Sequence, residues 1–495
     1  MRHLFASLDK EKSMTLKDDL TRVLFVGLLV VLTGCSNTEV SGQTDMAIEA
    51  GVSEVSSNAI TAISFYVQLA SNGQLVSPEA SSFENMVTRF NEAHPEIRVS
   101  LEQSVTQRPS ILEATRRYDC FVHYQDELKS RHANDLLSLS PLFEAESSVF
   151  QEDHASIHLA DYRLEGELYG LPAVSRPTLM AYNADLLAQR GLELPSMDWT
   201  FEDFLELSLA AASLDDADRS YGIAHGDDLL FTNGRNVGWV RMSTYPPSAY
   251  FDGPQTQVHL NWLKLMQDQG VLLNYHSDNY KYVQQEITNG RVAFWEVLAG
   301  DPSLYYFDPE QELPFEVGVV PMPLVPDPER TATRNFLDRG YFISRHSEAP
   351  QACWEWIRFL SGQPDVFIGL PVRRSVQESQ AWQALYGDGT AQAYLQAFAQ
   401  RQPEHNLAPV IWPLNELRAQ AIEDALNGGD VAQILADAQE KADIYLACIG
   451  DLYIPELADQ VVEQRVQVCA EQINVSFGVD LVAQLVFQEY AKAGT

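Results

Sequence analysis

The sequence is short of lysine, histidine and cysteine, and each shortage removes a class of function. Of 33 basic residues only eight are lysines, against 69 acidic ones, and the net charge is −36. No basic cluster interrupts that field, which repels phosphate backbones and so argues against nucleic acid as a partner. We read the acidity as a means of keeping an exported protein soluble. The 11 histidines are scattered, no His-Glu-x-x-His occurs, and the five cysteines lack metal-site spacing, so neither a metal nor any cofactor is expected. Neither a Gly-x-Ser-x-Gly elbow nor a Gly-x-x-x-x-Gly-Lys-Ser loop is present. Carboxylates are abundant, so counting them does not test for a glycosidase pair. The expectation is nevertheless a protein that catalyses nothing. After residue 40 no apolar run approaches the ~20 residues of a membrane span, and no internal repeat points to a solenoid or propeller.

What the sequence does contain begins at its N-terminus. Lys17 and Arg22 precede an apolar run from Val23 to Leu32, followed by Thr33, Gly34 and Cys35. That run is too short to span a bilayer and reads as an export signal, with Met1 or Met14 as the start. Leu32-Thr33-Gly34-Cys35 resembles the bacterial lipobox, which implies acylation of Cys35. Residues 36–61, dominated by Ser, Thr, Gly, Glu and Ala up to residue 59, read as a flexible tether. Export makes disulfides feasible for the other cysteines, Cys120, Cys353, Cys448 and Cys469. A Cys448–Cys469 bridge would pin the C-terminal extension, but four small buried thiols would fit the sequence equally well.

At 495 residues the chain is long enough for two or three globular units. Ala62–Val67 reads as a strand, and Phe83, Met86, Val87 and Phe90 recur at helical spacing until Pro95. Further strands are expected at Ile97–Leu101, Tyr118–His123, Leu179–Asn183, Gly290–Trp295 and Phe315–Val320. Helices are expected at Asp185–Arg190, from the N-cap Thr200 to Ala211, and at Gln351–Leu360. Strands alternating with helices imply βαβ units and an α/β fold.

The order of these pieces resembles extracellular solute-binding protein family 1, of the maltose-binding-protein type. The matching stretches include Phe90-Asn91-Glu92-Ala93-His94-Pro95-Glu96-Ile97-Arg98-Val99, and Tyr169-Gly170-Leu171-Pro172 through Tyr182-Asn183-Ala184-Asp185-Leu186. Gly290 to Trp295, Tyr341 to Ser344, Leu370 to Ser375 and Trp412 to Gly428 add to the match, which covers roughly residues 62–446. The chain departs from the family pattern after Trp295, where a Gly-x-Trp is missing, and in residues 451–495. The resemblance implies a two-lobed periplasmic-binding-protein fold, type II-like, with ligand in the cleft between hinged lobes. Residues 1–35 would be signal, 62–172 and 341–400 the first lobe, 173–340 and 401–450 the second, and 451–495 a helical extension. It also implies a monomeric lipoprotein outside the cytoplasm that delivers a sugar, oligosaccharide or polyol to ABC permease subunits. The alternatives are a sensory or structural lipoprotein that docks a partner and, further off, a secreted hydrolase.

Sugar rings present C–H faces and a rim of hydroxyls, so a binder needs aromatic platforms and planar polar groups. Strand ends face the crevice in such sheets, which nominates Tyr66, Gln68, His123, Asp126, Trp295, Glu296 and Tyr341. The family resemblance adds Arg374 and Trp412. For each aromatic the bland alternative is core packing, for His123 a satisfied polar role, and for the carboxylates a solvated surface.

Overall fold

A computed structural model describes residues 60–69, 78–104, 108–154, 159–215, 217–226, 239–241, 247–275, 280–300, 313–324, 339–399, 408–450 and 459–475. The export signal, Cys35 and most of the tether lie outside the described residues.

Eleven strands build two sheets. In chain order they are β1 (Thr61–Gln68), β2 (Ile97–Ser104), β3 (Cys120–Tyr124), β4 (Gly170–Ser175), β5 (Thr178–Asn183), β6 (Tyr221–Gly226), β7 (Leu272–Tyr275), β8 (Val292–Leu298), β9 (Val317–Pro321), β10 (Arg339–Ile343) and β11 (Leu370–Pro371). The first sheet runs β11-β4-β10-β3-β1-β2 and the second β7-β6-β8-β5-β9. β1 pairs in parallel with both β2 and β3, and β6 with both β7 and β8. β10 runs antiparallel to β3 and β4, as β5 does to β8 and β9.

Central strands covered on both faces read as near-continuous apolar runs, and β8, buried at all seven positions, does so. The helix Pro78–Ala93 buries Phe83, Met86 and Phe90 against the first sheet. The helix Pro350–Ser361 turns Trp356 edge-on to Phe65, 5.5 Å between centroids, and a Cys120–Cys353 disulfide ties this helix to the start of β3. In the second lobe, Thr200 and Asp203 form a reciprocal capping box that starts the helix Phe201–Ala211. The helices Ala408–Leu426 and Val431–Ile449 join the same core, as does Asp459–Glu471, which buries Val462 and Val466 and is pinned by a Cys448–Cys469 disulfide.

Three of the expected lobe boundaries need correction, the first being that Arg339 and Gly340, expected in the second lobe, open β10 of the first sheet. Residues 173–175 stay in the first sheet as the end of β4, so the lobes part at Arg176 and Pro177. The helix Asp388–Ala399, expected in the first lobe, packs on the second sheet, and Gln380–Tyr386 packs on that helix. Trp382, Ala391, Tyr394 and Ala397 share a core with Leu179, Ala181 and Trp295, which gives this apolar face its burial.

Candidate ligand-binding cleft

Strand direction determines where the two sheets meet. β1, β2 and β3 all end at one edge of the first sheet, and antiparallel β10 begins there, with Arg339 opposite Tyr124. β4 ends at the same edge, where Val174 also faces Arg339. Two residues later β5 opens with Thr178 opposite Leu298, the last residue of β8. The chain therefore leaves the first sheet at its C-terminal edge and enters the second at the corresponding edge. A crevice between such edges is where open α/β sheets hold ligands.

At the first-sheet edge, Tyr124 carries two cations against its ring, Arg108 at 4.5 Å and Arg339 at 5.4 Å from the centroid. Arg108 is ion-paired with Glu127. Arg339 is almost fully buried, lies 5.6 Å from the Phe367 ring, and donates from Nη1 to the Gln68 carbonyl at 3.3 Å. Gln68 is half-buried at the end of β1, and its side-chain oxygen is sealed without a donor. None of Tyr124, Arg108 and Arg339 was nominated from sequence. The signal for Arg339 was available, because an antiparallel strand presents its first residue to the cleft where a parallel one presents its last.

Several nominated residues turn inward instead. Tyr66 stacks on Tyr118 with 4.9 Å between centroids, and Tyr341, with 1% of its surface exposed, packs toward Phe367. Burial pushes both phenols above their ordinary pKa. His123 is buried with both nitrogens engaged: Nδ1 accepts from the Tyr124 N–H at 3.0 Å, which leaves Nε2 to donate to the Pro109 carbonyl at 3.1 Å. It is a satisfied structural histidine. Trp295 is sealed, edge-on to Phe315 at 6.2 Å and packed among the second-lobe helices, so it fills a core and does not form an open platform.

Glu296, its neighbour, points to the other face of β8, in register with Met180. It is 3% exposed, both its carboxylate oxygens lack a partner, and burial raises its pKa well above the ordinary carboxylate range. Asp126 lies in the turn Gln125–Glu127 just past β3, and its side chain is outside the described residues. Arg374 is exposed, and its N–H donates to the Asp153 carbonyl beside the Arg373–Asp153 pair, so it does not join the strand-edge group. Trp412 is partly buried on the helix Ala408–Leu426, whose Val410, Leu414 and Leu417 enter the second core.

A groove of ≈ 470 Å³ opens in the first lobe along the helices Ser148–Glu152 and Pro350–Ser361. Its cations are already matched, Arg358 to Glu146 and Glu355 and Arg373 to Asp153. Among the described residues no three His, Cys, Asp or Glu side chains are grouped to hold a metal, and no helix is long and apolar enough to cross a membrane.

The fold is shared with solved binding proteins. The sugar-binding protein MalE from the phytopathogen Xanthomonas citri is 19% identical, with a TM-score of 0.58 over 78% of this chain and 98% of that one. The ABC substrate-binding protein Lmo0181 from Listeria monocytogenes, solved with cycloalternan, is 16% identical, with a TM-score of 0.57 over 77% of this chain and 98% of that one. UgpB from Mycobacterium tuberculosis, solved with glycerophosphocholine, is 19% identical, with a TM-score of 0.55 over 77% of this chain and 97% of that one. Against curated proteins the sequence finds no match. The profile of the family described as bacterial extracellular solute-binding protein matches residues 76–365, well over half of the chain. The chain therefore belongs to the bacterial extracellular solute-binding protein family.

Proposed function

We propose that the protein is the substrate-binding lipoprotein of an ABC importer, and that it captures a carbohydrate-like solute between its lobes and passes it to the permease. The observation that carries this reading is the meeting of the C-terminal edges of both sheets at the link Arg176-Pro177, which lets one ligand touch both lobes. Closure is then selected because only the closed state satisfies both sets of contacts. Family membership and the sugar complexes among its structural relatives support it. We assign the ligand contacts to Gln68 among the nominated residues, together with Tyr124, Arg108 and Arg339. The resemblance of Leu32-Thr33-Gly34-Cys35 to a lipobox, and the tether after it, support a lipid anchor on Cys35 that holds the folded part at a membrane.

A thermal-shift screen against sugars, oligosaccharides, polyols and glycerophosphodiesters tests the reading. A ligand at 100 times its dissociation constant adds roughly 2.7 kcal/mol of stability. The hit should also lower the radius of gyration in solution scattering without changing secondary structure. Scattering curves that stay identical at saturation would sink the hinge mechanism.

A further inference from the structure

Arg176 stands on the two-residue link between β4 and β5, with 8% of its surface exposed. Its Nε donates to the Ala299 carbonyl at 2.8 Å, just past β8, and that is its one hydrogen bond to the described residues. A guanidinium has five N–H donors, so the four on Nη1 and Nη2 have no protein acceptor there. Neither Nη is among the sealed, partnerless atoms of the described residues. No carboxylate among the described residues lies within ion-pair distance, although the sequence holds 69 acidic residues from which one could have been supplied. Burying most of a cation without a counter-ion is costly unless something else satisfies it.

The surroundings keep room for this side chain. A Cβ on Gly300, at φ 143°, would come within 3.0 Å of Arg176 Nη2, and one on Gly369, at φ 132°, within 3.0 Å of Arg176 Cγ. Both glycines are held from the second-lobe side: Tyr394 Oη bonds both backbone groups of Gly300, and Trp382 Nε1 donates to the Gly369 carbonyl. Nearby, Arg339 begins β10 directly opposite Val174, which adds a second guanidinium to the same edge.

Building on the solute-binding reading above, we propose that Arg176 anchors an anionic oxygen group of the solute, a carboxylate or a phosphate or sulfate ester, so that the ligand is an acidic carbohydrate and not a neutral one. The Nη1–Nη2 end of the guanidinium forms a planar fork suited to a bidentate oxyanion. With Nε holding Ala299, an anion on this fork is bound at the link itself. The net charge of −36 opposes the long-range approach of an anion, but a largely buried fork acts at contact, where salt screens least.

The test is calorimetric titration of the full chain with matched pairs: digalacturonate against galactobiose, glucose 6-phosphate against glucose, and glycerol 3-phosphate against glycerol. The expected result is at least tenfold tighter binding of the anionic member in one pair, which also separates a carboxylate source from a phosphate source. Arg176→Gln should remove that preference while the neutral member changes less than twofold, and Arg176→Lys, which keeps the charge without the fork, should restore only part of it. A purely structural role for Arg176 would weaken both members alike, which would overturn the assignment. A neutral member that binds as tightly as its anionic partner overturns the acidic ligand class and leaves the solute-binding reading standing. Failure of every carbohydrate and phosphate to bind overturns that reading, and this inference with it. If the glutamine variant does not fold, the wild-type pairs and Arg176→Lys still decide.

Discussion

Two buried histidines of the first lobe and one buried glutamate of the second are shifted in opposite directions. In the first, burial pushes His132 and His154 down to a pKa of about 4, so both are neutral at pH 7. In the second, burial pushes Glu296 up, which favours its neutral acid. A lowered histidine contributes stability that is present above its unfolded value of 6.5 and lost as pH falls toward 4. A raised glutamate contributes stability that is present below its unfolded value of 4.5 and lost as pH rises through the folded value. Acidification below 6.5 therefore loosens the first lobe, whereas protonation of Glu296 favours the second. Asp119 and Asp153 do not enter that contrast. Burial alone would raise them, but hydrogen bonds from Ser64 and Ser375 hold both below 3.8. The lesson is that two α/β layers of similar design take their charge from different needs. The histidines form local backbone bonds, to Lys129 and Phe150, whereas Glu296 bonds nothing.

The lobes also differ in their covalent ties, and breaking these should give the largest effect. Cys120–Cys353 closes a separation of 233 residues and Cys448–Cys469 one of 21. Chain entropy then assigns about 5 kcal/mol to the first and about 3 kcal/mol to the second. Urea unfolding of the two paired alanine variants checks this, and equal or reversed losses would show that the first lobe is not held by its long-range tie.

Next in size is a comparison of two buried tryptophans. Trp356 packs edge-on to Phe65 and Phe90 in the first lobe, and Trp295 packs against Phe315 in the second. Either change to alanine should cost about 3–5 kcal/mol by opening a cavity. The affinity for solute in a folded Trp295→Ala protein should stay unchanged. Lost affinity with an unmoved melting midpoint would return Trp295 to the cleft.

These side chains show what sequence alone reveals of the molecule. The strands and helices were readable because apolar spacing and caps such as Thr200 are local signals, and each expected element has its counterpart. The helix Asp388–Ala399 was assigned to the wrong lobe because an apolar face says that it is covered and not by what. Site residues were harder still. A strand-end rule finds the edge, but the face follows from register: Trp295 and Glu296 are adjacent on β8 and point to opposite sides. Arg176 carried no signal at all, since a lone arginine beside a proline is unremarkable until the chain on either side is seen to enter different sheets.

The smallest predicted effect sharpens the pH contrast directly. One proton's difference between folded and unfolded states gives a slope of about 1.4 kcal/mol per pH unit. Below pH 6.5 the two histidines make stability fall on acidification, and above pH 4.5 Glu296 acts in the opposite sense. Glu296→Gln removes that opposing contribution, so stability should fall more steeply on acidification. His154→Gln removes one histidine's share and should flatten the profile, by up to about 1.4 kcal/mol per pH unit. Urea midpoints at pH 5, 5.5 and 6 give both slopes, and variants that move them in the same direction would end the contrast. The absolute stability of Glu296→Gln is a separate readout, because an amide at a sealed site without partners carries its own desolvation cost. The slope is free of that cost, since an amide does not titrate. A Glu296→Gln profile identical to wild type would mean that this carboxyl group keeps its ordinary ionisation and lies open to water, with no burial left to explain its lack of a partner.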